Sequence, residues 1–140
     1  MTAKRIFNPK WWLVGFAVLH TLMFLVPQLF VTDMVVETNW GADTAPAQAA
    51  FYEFQMGVLG IGYTPMLLAM AFFATGRTLA KMTLATALGM AVVAFVNTYT
   101  SMALEGYMDD MPAALMIGLP IVLFGGMLLS AVLHLSADET

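Results

Sequence analysis

Charge is confined to a few places in this chain, and that confinement limits what it can fold into. All five Lys and Arg residues fall at two positions: Lys4, Arg5 and Lys10 before the first apolar block, and Arg77 and Lys81 between the second and third. The uncharged runs are Trp11 to Thr32, Phe54 to Gly76, Met82 to Leu104 and Met111 to Ala137. Each meets the requirement of about 20 apolar residues for crossing a bilayer. The expected architecture is an all-α membrane protein, a four-transmembrane-helix antiparallel bundle with spans at about 11–32, 50–75, 79–104 and 111–135. The positive-inside rule puts the basic ends on the cytoplasmic side, and an even number of spans returns the C-terminus there. Acidic residues fill the opposite loops: Asp33, Glu37 and Asp43 in the first, Glu105, Asp109 and Asp110 in the second.

The 140 residues are 61% hydrophobic, above the share usual in a soluble domain, and read as a single transmembrane domain. The longest hydrophilic stretch is too short to bury a core of its own. A basic flank before an apolar run invites comparison with a signal peptide, but a run of about 20 residues exceeds a secretory h-region, and Trp11 and Trp12 suit an interface anchor. We expect a retained span. Cysteine is absent, which excludes disulfides and thiolate chemistry. A net charge of −4 makes nucleic acid an unsuitable partner. No nucleotide-binding loop, H-E-x-x-H pattern or serine nucleophile elbow occurs, so no enzymatic activity is expected from motifs.

Local signals fill in the spans. Asn8 and Pro9 read as a helix start. Pro27 should break the helical ladder, with Gln28 free to bond the groups released or to reach the headgroups. Thr44 reads as the cap of a helix opening at Pro46, and Asp110 with Pro112 as the cap and opening turn of the fourth span. Glu53, Gly57, Gly60 and Thr64 recur at helical spacing on one face of the second span. Thr83, Ala87, Ala91, Ala94, Thr98 and Ser101 form a comparable stripe on the third, and Ala114, Gly118, Gly125 and Gly126 lie on the fourth. Small residues are where membrane helices approach closely. With short connections, sequential helices should be neighbours.

Few residues carry chemistry. Glu53 lies about one turn inside the second span, where a carboxylate faces a partner, a cavity or the interface. Antiparallel packing would bring Asn97 to a similar depth, with Gln55, Tyr99 and Thr100 available. The group would be either an interhelical hydrogen-bond network or a shallow ligand, ion or proton site, with Tyr63 and His20 extending it inward. His20, near mid-membrane, is a possible ligand for haem or a chlorin pigment. His134 lies about 10 Å away along the membrane normal, too far for one bis-histidine haem. The run Glu105-Gly106-Tyr107-Met108-Asp109-Asp110 lacks the ligand alternation of an EF-hand, and no metal site is expected.

From about Ala47 to Leu129 the chain resembles the DoxX-like group of small four-helix membrane proteins. The resemblance rests on Phe51-Tyr52 followed by Gly57, Gly60 and Gly62, then on the polar turn Asn97 to Ser101 leading to Leu104-Glu105-Gly106. Many of those relatives carry an arginine near the position of Asn97. What the resemblance implies is architecture, since the group has no single activity. The expected function is that of a multi-pass accessory or assembly subunit working through helix or lipid contacts, its partners being membrane lipids and other membrane subunits or further copies of itself. Two alternatives are a small-molecule, ion or proton site at Glu53 and Asn97, and a pigment or haem subunit using His20. The expected location is a bacterial inner membrane or an organelle membrane.

Overall fold

A computed structural model describes residues 3–103, 107–108, 111–112 and 114–136. The capping role expected of Asp110 and the acidic positions Glu105 and Asp109 lie outside the described residues, as does the side chain of Ser101. The described residues are helical apart from turns and short connections, and four helical stretches are long and apolar enough to cross a membrane: Ala3–Phe30, Ala49–Phe73, Gly76–Thr100 and Ala114–His134. This is an integral multi-pass membrane protein by the length and composition of its helices.

The first span comprises α1 (Ala3–Ile6), α2 (Pro9–His20), a π-helical turn over Thr21–Leu25, and α3 (Val26–Phe30). The side chain of Asn8 accepts the Lys10 N–H at 3.0 Å and caps α2, with Pro9 in its first turn. A separate helix, α4 (Thr32–Trp40), occupies the first loop of the acidic end. The second span is α5 (Ala49–Gly60) and α6 (Tyr63–Phe73), the third is α7 (Gly76–Ala103), and the fourth is a π-helical turn over Ala114–Gly118 followed by α8 (Leu119–His134).

Three prolines account for the irregular points. A proline lacks an N–H and crowds the carbonyl four residues earlier, so the ladder must rearrange just before it. Ahead of Pro27 the helix widens into the π turn, where the Val26 N–H reaches the Thr21 carbonyl. Ahead of Pro65 the second span breaks at Ile61 and Gly62. Ahead of Pro120 lies the second π turn. The first span therefore passes through Pro27 and ends at Val31, whose φ of −136° and ψ of 45° turn the chain into α4.

Two expectations are corrected. Thr44 does not cap the second span: its hydroxyl donates to the Trp40 carbonyl at the end of α4, and α5 begins at Ala49 after Gln48. Gly41, with φ of 76°, makes the intervening turn, a backbone region open mainly to glycine. Nor are all sequential spans neighbours. The first span packs on the second and the fourth, and the fourth packs most extensively on the third, whereas α6 and α7 meet only sparingly. The central element is the first span, because its α2 offers Leu13, Phe16 and Ala17 to the others.

The core lies toward the basic end, where Leu13, Leu67 and Met127 are fully buried with Phe16, Ala17, Ala71, Leu79 and Ala87 around them. Thr83 and Ser130 are buried there too, their hydroxyls satisfied by the Leu79 and Met127 carbonyls of their own helices, each at 2.8 Å. Lys10 stands 4.6 Å from the Phe72 ring centroid, an arrangement in which an ammonium at the interface meets an aromatic face. His134 Nδ1 donates to the Ser130 carbonyl at 2.8 Å. Toward the acidic end Val92, Val93, Phe95, Val96 and Tyr99 of the third span are exposed.

Small residues differ sharply in what surrounds them. A Cβ on Gly57 would stand 2.9 Å from the Gln28 Cβ and 3.0 Å from Leu29 Cδ2, while one on Gly15 would meet nothing within 4 Å. Gly57→Leu is therefore expected to force the first two spans apart and lower thermal stability in detergent by about 2 kcal/mol or more. Gly15→Leu should leave the melting temperature within a degree or two of the parent; equal losses at both would show that the Gly57 contact is not what holds the spans.

Candidate functional site

At the acidic end α5 carries Glu53, only 5% exposed. A buried carboxylate needs hydrogen-bond donors, and three converge on it. Asn39 Nδ2 and Trp40 Nε1, both from the last turn of α4, donate to Oε1 at 3.1 Å each. Gln28 Nε2, one residue beyond Pro27, donates to Oε2 at 3.4 Å. A carboxylate is acceptor-only and amide and indole N–H groups donate, so each of these contacts pairs a donor with an acceptor. None of these three partners carries a positive charge. The cage fixes the loop helix α4 onto the first two spans.

Tyr107 and Met108 of the second loop meet this cage. The Tyr107 ring lies 4.6 Å from that of Trp40, tilted by 58°, and the Met108 N–H donates to the Asn39 carbonyl. Burial, with the nearby charge of Glu53 as a second cause, pushes the Tyr107 hydroxyl up to about 12 from its ordinary value of 10.0. A group whose folded pKa is raised holds its proton better in the fold, so its contribution is complete below the unfolded value and is lost as pH rises through the folded one. We expect the acidic-end cage to loosen between about pH 10 and 12. Tyrosinate absorbance and thermal melting followed across that window check this, and Tyr107→Phe should flatten the pH dependence.

The site residues expected from the sequence fall into separate places. Asn97 and Tyr99 lie exposed on α7, and Gln55 is half buried on α5. The described partners of Glu53 come instead from the first span and the first loop. Asn39 and Trp40 carried no signal as ligands of Glu53 in the sequence. Only the helical register of α4, which puts adjacent residues near the end of one helix, brings both donors to one oxygen.

Tyr63 and His20 form a second group at mid-span. Their rings meet edge to face at 5.2 Å, and Phe16 sits edge-on to Tyr63 at 6.1 Å. His20 Nδ1 lies 3.2 Å from Thr64 Oγ1, which is 3.0 Å from Thr21 Oγ1, and Thr21 donates to the Ala17 carbonyl at 2.8 Å. Tyr63 Oη is buried without a hydrogen-bond partner. Between the two polar groups the helices meet through Leu25, Leu29, Gly57 and Gly60, so an apolar layer separates Glu53 from His20. No cluster of three metal-ligating side chains occurs among the described residues.

A third feature is a groove of about 440 Å³ between α7 and the fourth span. Ala87, Ala91, Ala94 and Gly125 give it depth, Phe95, Pro120 and Phe124 wall it, and Thr98 is its polar edge. Gly118 stands clear of it, with nothing within 4 Å of where its Cβ would be.

Comparison with protein-family models, with curated proteins and with solved structures returns no match.

Proposed function

We propose that the protein is an accessory or assembly subunit of a membrane complex, acting through helix–helix or lipid contacts rather than through a reaction of its own. The observation that carries this is the apolar groove between the third and fourth spans, continuous with the exposed outer half of α7. In a bilayer there is no hydrophobic force to separate helix from lipid, and association follows close packing of small residues. A stripe of Ala87, Ala91 and Ala94 beside a groove of this size supports a role in receiving a neighbouring helix or acyl chain. The charge pattern supports a topology with both termini and the Arg77 to Lys81 connection on the cytoplasmic side. The DoxX-like resemblance of residues 47–129 supports the same class of small helical membrane protein.

Mass measurement after purification in mild detergent tests this reading. The expected result is a mass above the 15.2 kDa of the single chain, through a co-purifying subunit, a second copy or retained lipid. The groove-filling variant Ala91→Phe should lose the extra mass while keeping its helix content. A bare monomer in the parent protein sinks the proposal. Cysteines introduced singly at positions 3 and 138 should label from one side of the membrane.

A second reading, an ion or proton site at Glu53, draws on the burial of that carboxylate among partners that are all uncharged. Under it, Glu53→Gln leaves assembly intact and abolishes a pH-dependent or cation-dependent activity.

A further inference from the structure

The groove between α7 and the fourth span has the length of one leaflet and the width of one hydrocarbon chain. On α7 it runs from Ala87 to Thr98, a rise of about 16 Å. That is one leaflet's share of a hydrocarbon core about 30 Å thick. The third span extends from Gly76 to Thr100, so Ala87 lies at mid-membrane and Thr98 just inside the boundary at the acidic end. Spread over that length, the volume of about 440 Å³ gives a mean section of roughly 27 Å². A helix 10–12 Å across needs roughly 80 Å² or more. A hydrocarbon chain, with carbon contacts at about 4 Å, needs roughly 20 Å².

Chemistry at the acidic end of the groove selects the rest of the occupant. Thr83, Thr86 and Thr100 of α7 each donate to the carbonyl four residues earlier. Thr98, the polar edge of the groove, has no hydrogen bond among the described residues. Its hydroxyl is left to donate to whatever fills the groove. At that depth a phospholipid presents the ester carbonyls that join its chains to glycerol. No Lys or Arg follows Lys81 in the chain, and the charged residues joining the groove's two spans, Glu105, Asp109 and Asp110, are all acidic. A seated headgroup therefore finds no cation for a net negative charge.

We propose that the groove seats one acyl chain of a zwitterionic phospholipid from the acidic-side leaflet, with the Thr98 hydroxyl donating to its ester carbonyl. This rests on the lipid-contact form of the accessory role and names the partner. Leu88, Phe95 and Ile121, all exposed, flank the chain, and Gly125, with no atom within 4 Å of where its Cβ would be, leaves the floor open.

The native mass of the full chain, released from nanodiscs of equal phosphatidylethanolamine and phosphatidylglycerol, should include one phosphatidylethanolamine per chain. Thr98→Val should weaken retention by about 3-fold, the size of an average polar contact in a membrane protein. Thr98→Ser and Thr100→Val should leave retention unchanged, and Ala91→Phe should abolish it with helix content preserved. A phosphatidylethanolamine carrying a photoreactive diazirine in mid-chain should label Leu88, Phe95 or Ile121 above Leu59 and Val93, which are exposed outside the groove. Ala91→Phe should remove that difference. Extra mass that is protein alone, equal retention of phosphatidylglycerol, or labelling even between the two groups overturns the lipid seat and leaves the accessory role standing. A bare monomer with no lipid overturns both.

Discussion

Gly126→Ala will destabilise the protein more than any other single-methyl change considered, by about 3 kcal/mol, at the upper end of what overpacking a tight interface costs. The Trp12 indole lies directly over Gly126, so a Cβ there would overlap three of its ring carbons. Trp12 has little room to yield, since it is also stacked on Phe7, the ring planes parallel and the centroids 5.8 Å apart. For a domain of this size the melting temperature in detergent should fall by roughly 10 °C. The adjacent Gly125→Ala is the control: no atom stands within 4 Å of its added methyl, and replacing helical glycine is favourable by up to about 1 kcal/mol. If both variants melt together, the Trp12 contact does not hold the first and fourth spans in register. Trp12→Leu in the Gly126→Ala background should recover part of the loss.

Glu53→Ala is expected to have an effect of similar size through a different cause. Removing the carboxylate strands the Asn39 amide, the Trp40 indole N–H and the Gln28 amide, at about 1 kcal/mol or more for each unpaired donor. The loss should concentrate in the far end of α4, since the other described side-chain hydrogen bond from α4 to the spans, Thr32 Oγ1 to the Gln28 carbonyl at 2.7 Å, sits at its first residue. Proteolysis between residues 32 and 48 should therefore accelerate before the spans melt. Glu53→Gln should lose less, because its carbonyl can still accept from Asn39 and Trp40 while its amide opposes that of Gln28. Equal protease resistance in Glu53→Ala and the parent would show that the cage does not hold the loop.

The spans and the stripe on the second helix were legible because both depend on one-dimensional pattern. Charge exclusion over 20 residues and the spacing of Glu53, Gly57, Gly60 and Thr64 need no knowledge of neighbours. What faces that stripe was not legible. Glu53, Gly57, Gly60 and Thr64 meet Gln28, Leu29, His20 and Thr21 of the first span, and the order of helices around a bundle leaves no mark in periodicity. Short connections suggested a second span against a third, yet Gly76, with φ of +52°, reverses the chain without bringing α6 and α7 into extensive contact. The difference between Gly125 and Gly126 was equally hidden, because it depends on where one indole from another helix comes to rest. The helix α4 escaped notice because its nine residues mix acids with a short apolar run, a pattern that a polar loop shares.

The rearranged turn before Pro27 and the break before Pro65 lie beside each other, since Leu25 packs against Gly60 and Thr21 against Thr64. Two adjoining rods are thus jointed at one level, with the Thr64 to Thr21 bond spanning the joint. Below it the rods are locked into the core; above it they carry the Glu53 cage and its loop helix. The upper storey is held in turn by Tyr107 and Met108 of the second loop, and His20 sits at the level of the joint.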